Sequence, residues 1–267
     1  MKHLVTLALL ASLSLSASAG PEEDRTAFVQ FFEKRFPSVA VEEHINGAYA
    51  LDEDKRKQWE ALESGFPPYE DAVFDGEALW DEGPYADCFG GSAAVKQSYP
   101  RWDEEQGVVT LELAVNNCRE ANGEEALDYA DYDMVALSAY IAFESRGQAI
   151  NVDVPNDQAM AAYEEGKAFY YQRRGQLNFA CSSCHLEMAG NKLRSERLSA
   201  ALGHVTHWPT YRAKWDEVGP LHKRFMECND QVKAKAFDLQ SVEYRNLEYF
   251  LTYMSNGLPL NGPTTRK

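Results

Sequence analysis

Three things are scarce in this sequence. No stretch has the roughly 20 strongly apolar residues that a bilayer-spanning helix requires. Basic residues are outnumbered, with 26 Lys and Arg against 42 Asp and Glu and a formal net charge of −16. Cysteine is sparse as well, at five residues. The first absence excludes a membrane span after the leader described below. The second argues against nucleic acid and anionic lipid as partners, so an anionic small substrate would need a local basic pocket. The third has a consequence through its parity: an odd cysteine count leaves at least one thiol outside any intramolecular disulfide. Strand-like runs are few, VVTLELAV at 108–115 being one of them, so β structure is expected to be minor.

The chain opens MKHLVTLALLASLSLSASAG. Lys2, the short apolar run from Leu4 to Leu15 and the small-x-small pattern Ala17-Ser18-Ala19 together have the form of a secretory signal peptide. Export to the periplasm is expected, with cleavage after Ala19 and a mature start at Gly20. The run is too short for the competing reading, a membrane anchor.

The strongest motif is FACSSCHLEMAG, residues 179–190. C-x-x-C-H is the attachment pattern for c-type haem, in which Cys181 and Cys184 would form thioethers and His185 would serve as an axial ligand. A thioredoxin-like pair would leave His185 unexplained. A zinc knuckle would need a second ligand pair, for which His204 and His207 are the candidates.

An internal repeat divides the remaining cysteines. A shift of 110 positions lays Cys118 on Cys228, Leu137 on Leu247, Tyr140 on Phe250, Ile141 on Leu251, Ser145 on Ser255 and Gly147 on Gly257. With a small gap upstream, Cys88 falls on Cys181, while Gly91 and Ser92 stand where the second half has Cys184 and His185. Such self-similarity indicates duplication of a structural unit whose first copy lacks a haem site. Without a porphyrin between them Cys88 and Cys118 can pair as a disulfide, which leaves Cys228 as the free thiol.

Helical patterns support two small units. From Ser241, SVEYRNLEYFLTYMSNG places Leu247, Phe250, Leu251 and Met254 at i, i+3, i+4 and i+7, with Gly257 and Pro259 ending it. Residues 131–146 behave in the same way, and 156–171 form a third expected helix leading into the haem motif. The segment NVDVPNDQ, with Pro155, reads as a linker. The expected organisation is a signal peptide at 1–19, a cytochrome c-like domain without haem at 20–150, and a cytochrome c domain with haem and active site at 151–267. The fold is mainly α.

CSSCH, HKRFMECNDQ and SVEYRNLEYFLTYMSNGLPLNGP together resemble the SoxA subunits of the SoxAX cytochromes, which belong to the thiosulfate-oxidising Sox system. The resemblance spans nearly all of the mature chain. Some members carry a second haem in the first half, and Gly91 and Ser92 align this chain with the monohaem type, one haem c per chain. The family's sixth iron ligand is a cysteine, often a persulfide, and Cys228 is the matching position opposite His185. An anionic sulfur ligand would favour ferric iron.

Arg224 lies four residues before Cys228, so on a helix both share a face, and a guanidinium there could hold thiosulfate against the sulfur. The plainer reading of Arg224 is a surface salt bridge. Arg173, Arg174 and Arg245 are further candidates for a basic rim or for ordinary structural roles. Met188, Met226 and Met254 are assigned to packing; His204, His207 and His222 are read as polar residues or caps unless one replaces Cys228 on the iron.

The activity implied is oxidative conjugation of thiosulfate to a cysteine of a carrier protein resembling SoxYZ. Two electrons would pass to a small c-type cytochrome resembling SoxX. The alternatives are a thiosulfate dehydrogenase forming tetrathionate and a non-enzymatic electron-transfer cytochrome.

Overall fold

The computed structural model describes residues 20–266. The expected signal peptide therefore lies outside the described residues. Nine α-helices are described: α1 (Pro21–Arg35), α2 (Glu53–Glu63), α3 (Glu70–Glu82), the short α4 (Tyr85–Cys88), α5 (Leu111–Ala121), α6 (Tyr132–Glu144), α7 (Asp157–Tyr171), α8 (Leu221–Gln231) and α9 (Val242–Met254). Strands are few and short: β1 (Arg101–Asp103), β2 (Gly107–Val109), β3 (Lys192–Leu193), β4 (Glu196–Arg197), β5 (Thr210–Arg212), β6 (Glu217–Gly219) and β7 (Thr264–Arg266). None of the described helices is long and apolar enough to cross a membrane.

The helices begin where the sequence supplies caps. Ser241 accepts the Tyr244 N–H at the start of α9, Asn156 accepts that of Ala159 at 2.8 Å, and Thr110 accepts that of Leu113 at 3.2 Å. The last of these corrects the strand expected across VVTLELAV. Only Val108 and Val109 belong to a strand, and Thr110 then starts α5. The reason is that Leu111, Ala114, Val115 and Cys118 form an apolar helical stripe that the short window did not reveal.

Duplication is visible in the packing. α3 crosses α6 at Gly76, where a Cβ would collide with the Ala136 carbonyl, and α7 crosses α9 at Gly166, where it would collide with the Asn246 carbonyl. Ala136 and Asn246 are related by the 110-residue shift. The segments after α6 and α9 pair with each other antiparallel. Gly147 N–H donates to Leu260 O at 2.8 Å and Gly257 N–H to Ile150 O at 2.9 Å; Ile150 N–H donates to Leu258 O at 3.0 Å and Leu260 N–H to Gln148 O at 2.9 Å. Moving each partner by 110 positions exchanges the bonds within each pair, as a pseudo-two-fold axis requires.

One core holds Trp80, Tyr85, Leu111, Val115, Cys118, Met134, Leu137 and Ile141. The larger core collects Tyr163, Tyr170, Leu202, Tyr244, Leu247, Phe250 and Met254, and it also takes Phe28 and Phe32 from α1. α1 therefore covers the second half, and β7 joins it too, running parallel to β5 while β6 pairs antiparallel on the other side.

Candidate haem and sulfur site

α7 leads through a loop closed by Arg174 N–H donating to Phe179 O at 3.0 Å, and the chain then enters a tight helical turn, Ser183–Glu187, that carries Cys184 and His185. Cys181, Cys184 and Cys228 are all free thiols. Burial pushes the Cys181 thiol up to about 12, and the nearby Cys228 sulfur adds to the effect. Cys184 is raised for the same two reasons, with Arg224 opposing. Cys181 and Cys184 thus both lie within electrostatic range of Cys228, although 228 is more than 40 positions away in sequence.

His185 Nδ1 lies 3.0 Å from Ser199 O. A carbonyl can only accept, so Nδ1 carries the proton and Nε2 is the free, metal-ready nitrogen. Burial lowers this imidazole's pKa to about 4, which keeps it neutral. His204 packs edge-on against it, ring centroids 4.4 Å apart, with its Nε2 2.9 Å from Ser199 Oγ. Two free thiols at C-x-x-C spacing, a neutral imidazole with Nε2 available and a third sulfur on a facing helix make a donor set that fits covalently attached haem c.

The facing helix is α8. Arg224 and Cys228 share it, and Arg224 Nη1 donates to Glu227 Oε2 at 2.5 Å, while Glu227 also pairs with Lys214 from the turn between β5 and β6. Burial works against the Arg224 charge, but the Cys228 sulfur and the Glu227 carboxylate outweigh it and raise the pKa. α8 is pinned next to Cys228 by Asn229. That side chain donates to Tyr244 Oη at 2.9 Å and accepts from Arg174 Nη1 at 3.0 Å, joining α8 to α9 and to the loop before Cys181.

In the first half Cys88 and Cys118 form a disulfide, with Cα atoms 5.9 Å apart. Their counterparts, Cys181 and Cys228, remain separate thiols. Trp80 stacks on Tyr85 at 5.9 Å and meets Phe89 at a tilt at 5.8 Å, so aromatic side chains fill the first core beside the disulfide.

The candidate basic rim is mostly structural. Arg245 donates to Val108 O at 2.7 Å and Gln106 O at 3.2 Å, tying α9 to β2. The Arg174 guanidinium lies 3.7 Å from the Phe169 ring centroid, and Arg173 reaches Glu187 at 3.8 Å on the surface. Met254 is buried in the core. His222, read from sequence as an ordinary polar residue, is a buried partner of Glu248 at 2.9 Å. Sequence reasoning passed over Arg212 on β5, which lies within electrostatic range of Arg224, Glu227 and Cys228. Its position 16 residues before Cys228 corresponds to no helical or strand spacing, so only the hairpin's return onto α8 reveals it.

Comparison with known proteins agrees with this geometry. The profile of the SoxA/TsdA cytochrome c domain matches residues 75–150 and 165–260. L-cysteine S-thiosulfotransferase subunit SoxA of Allochromatium vinosum is 56% identical, covering 97% of this chain and 98% of that protein. The SoxA subunit of Chlorobaculum tepidum is 49% identical over 96% of this chain and 92% of its own length. Among solved structures, SoxXA from P. pantotrophus superposes with a TM-score of 0.71 at 29% identity, covering 79% of this chain and 84% of that one. With both halves matched in sequence and fold, and with the C-x-x-C-H loop facing Cys228, the chain belongs to the SoxA family of the SoxA/TsdA cytochromes c.

Proposed function

We propose that this chain is a haem c enzyme that oxidatively conjugates thiosulfate to a cysteine thiol of a sulfur-carrier protein. The observation that carries the reading is Arg224 on the same helix as Cys228, both beside the Cys181–His185 loop. The names of the curated relatives support the reaction class.

Cys181 and Cys184 would hold one haem c through thioethers, and His185 and Cys228 would be the groups that ligate its iron. When bound, the haem supplies one-electron redox chemistry beside the sulfur. Arg224 has donors beyond the one given to Glu227, and these would receive the oxyanion end of thiosulfate. The Cys228 thiolate and the sulfane sulfur of thiosulfate form an S–S bond with loss of two electrons to a c-type cytochrome. The carrier thiolate then attacks that sulfane sulfur and Cys228 leaves as thiolate. The sum is thiosulfate plus carrier thiol giving the carrier S-thiosulfonate, one proton and two electrons. A persulfide on Cys228 would lengthen the nucleophile by one sulfur and leave the balance unchanged.

The cytochrome is proposed to be a SoxX-like subunit forming a heterodimer with this chain, supported by the solved SoxXA complex. The carrier is proposed to resemble SoxYZ. The location is the periplasm, after removal of residues 1–19 from a domain pair divided near residue 150.

Cys228→Ser separates the readings. The variant should keep its haem, because Cys181 and Cys184 are untouched, show a shifted absorption spectrum, and lose conjugation of thiosulfate to a carrier thiol. Wild-type turnover in this variant would leave an electron-transfer cytochrome as the better account. Tetrathionate formed without any carrier by the unaltered chain would favour a thiosulfate dehydrogenase.

A further inference from the structure

β5 and β7 run in parallel with Arg212 paired to Arg266, so two guanidinium side chains leave one face of the same sheet. Like charges opposite each other in a ladder are unfavourable. Burial disfavours the charge on Arg212, and a third guanidinium, Arg224 on α8, adds to that effect. The carboxylates nearby do not cancel this charge. Glu227 is shared between Arg224 and Lys214. Glu63 influences Arg266 but is already engaged by Trp59, Tyr69 and the Thr265 N–H. Where the β5–β6 hairpin meets α8, Arg212, Lys214 and Arg224 therefore surround one carboxylate, Glu227, because the Glu217 opposite Arg212 in the ladder is taken by Lys223, and the formal excess of two positive charges matches a dianion.

The two strand arginines are held differently. Arg266 is fixed: its guanidinium lies 5.2 Å from the Tyr49 ring and 5.3 Å from the Trp59 ring, and it donates to Thr265 O at 2.9 Å and Ile45 O at 3.3 Å. Arg212 makes no ion pair among the described residues. It rests on Trp215 at 5.1 Å, and its Nε is buried without a hydrogen-bond partner. A guanidinium with open donors, held on a sheet whose register is set on both sides and within electrostatic range of Arg224 and Cys228, is arranged to receive an oxyanion.

We propose that Arg212 is the second guanidinium of the substrate site. It binds the sulfonate end of thiosulfate opposite Arg224, with Arg266 as a positioning residue that keeps the sheet and its positive potential in place. This rests on the reading of Cys228 as the reacting sulfur. It adds a specificity element: two arginines on separate rigid elements select a doubly charged sulfur oxyanion over monoanions of similar size.

The test uses the haem-loaded chain with its cytochrome partner. Calorimetric titration of the ascorbate-reduced protein with thiosulfate, where no electron acceptor is present, reads binding without the oxidative step, and steady-state conjugation reads KM and kcat. Arg212→Ala should weaken binding about tenfold to hundredfold, the loss expected for a charge-assisted contact. KM should rise in parallel while the haem spectrum stays as in wild type, because no ligand is touched. Arg212→Lys should recover part of the affinity, keeping the charge without the fork. It also serves as the test variant if the alanine protein does not fold. Wild-type affinity in Arg212→Ala, or in a folded Arg212→Lys and Arg212→Gln pair, overturns the inference. Intact thiosulfate binding with no conjugation in the unaltered protein would instead overturn the functional reading and leave Arg212's part in binding standing.

Discussion

Arg224 gives one donor to Glu227 and leaves the others free, so it is not a closed salt bridge. Arg224→Ala should raise KM for thiosulfate about tenfold or more, the value of a charge-assisted hydrogen bond, and leave haem content and spectrum unchanged because Cys228 and His185 are spared. Steady-state kinetics with the absorption spectrum check both halves of the statement. A lower kcat at unchanged KM would place Arg224 in the transition state alone. Asn229, next in sequence to Cys228, has the complementary task of position. It is tied to Tyr244 and Arg174, so the turn of α8 that carries Cys228 is joined to α9 and to the loop before Cys181.

The helix crossings at Gly76 and Gly166 make a pair of predictions with different local outcomes. A methyl group at either position meets a backbone carbonyl that cannot turn aside, so the helices must separate, at a cost of about 1–3 kcal/mol. Gly166→Ala opens α7 against α9, next to the haem loop, and should lower the melting temperature and perturb the haem spectrum. Gly76→Ala opens α3 against α6 and should lower stability with the spectrum intact. Thermal unfolding followed at both the haem band and far-ultraviolet wavelengths distinguishes them. The disulfide between α4 and α5 closes a sequence separation of 30 residues. For a loop of that length the unfolded chain is constrained by about 3–4 kcal/mol. Replacing Cys88 and Cys118 together by serine should destabilise by that order in denaturant titration while the haem remains attached.

Across the junction of the halves, Glu112 from α5 faces Glu248 on α9 and His222 on α8, with Lys96 also in range. Glu112 and His222 are equivalent under the 110-residue shift, so the repeat sets its two copies against each other here. Gln240 N–H donates to His222 Nδ1 at 3.1 Å, which leaves Nε2–H to face Glu248 at 2.9 Å. Burial, followed by the Glu248 charge, raises the pKa of Glu112. A carboxyl whose folded pKa lies above its unfolded one favours the folded state most at pH below the ordinary carboxylate range. That contribution is lost as pH rises through the folded pKa. Glu112→Gln should therefore flatten the fall in stability on going from acid toward neutral pH. Denaturant unfolding of both proteins across pH 4 to 8 measures the difference. Identical slopes would mean that Glu112 is already ionised in the folded chain.

The features legible in the sequence were those whose physics is local. C-x-x-C-H specifies its own chemistry over five residues, the α9 periodicity runs within one helix, and Arg224 with Cys228 needs only an i, i+4 step. The duplication was legible because it preserves one offset, and through it the Cys88–Cys118 pairing. The split of VVTLELAV was missed because a window of eight residues fits either period and Thr110 decides only by capping α5. Arg212, Arg266 and the Glu112–His222–Glu248 group follow no spacing rule. They meet because β7 returns to β5 from the far end of the chain and because the two halves close on a pseudo-two-fold axis. Charge that is scattered along the sequence becomes a concentrated field only when those long-range contacts form, and the tertiary fold alone decides that.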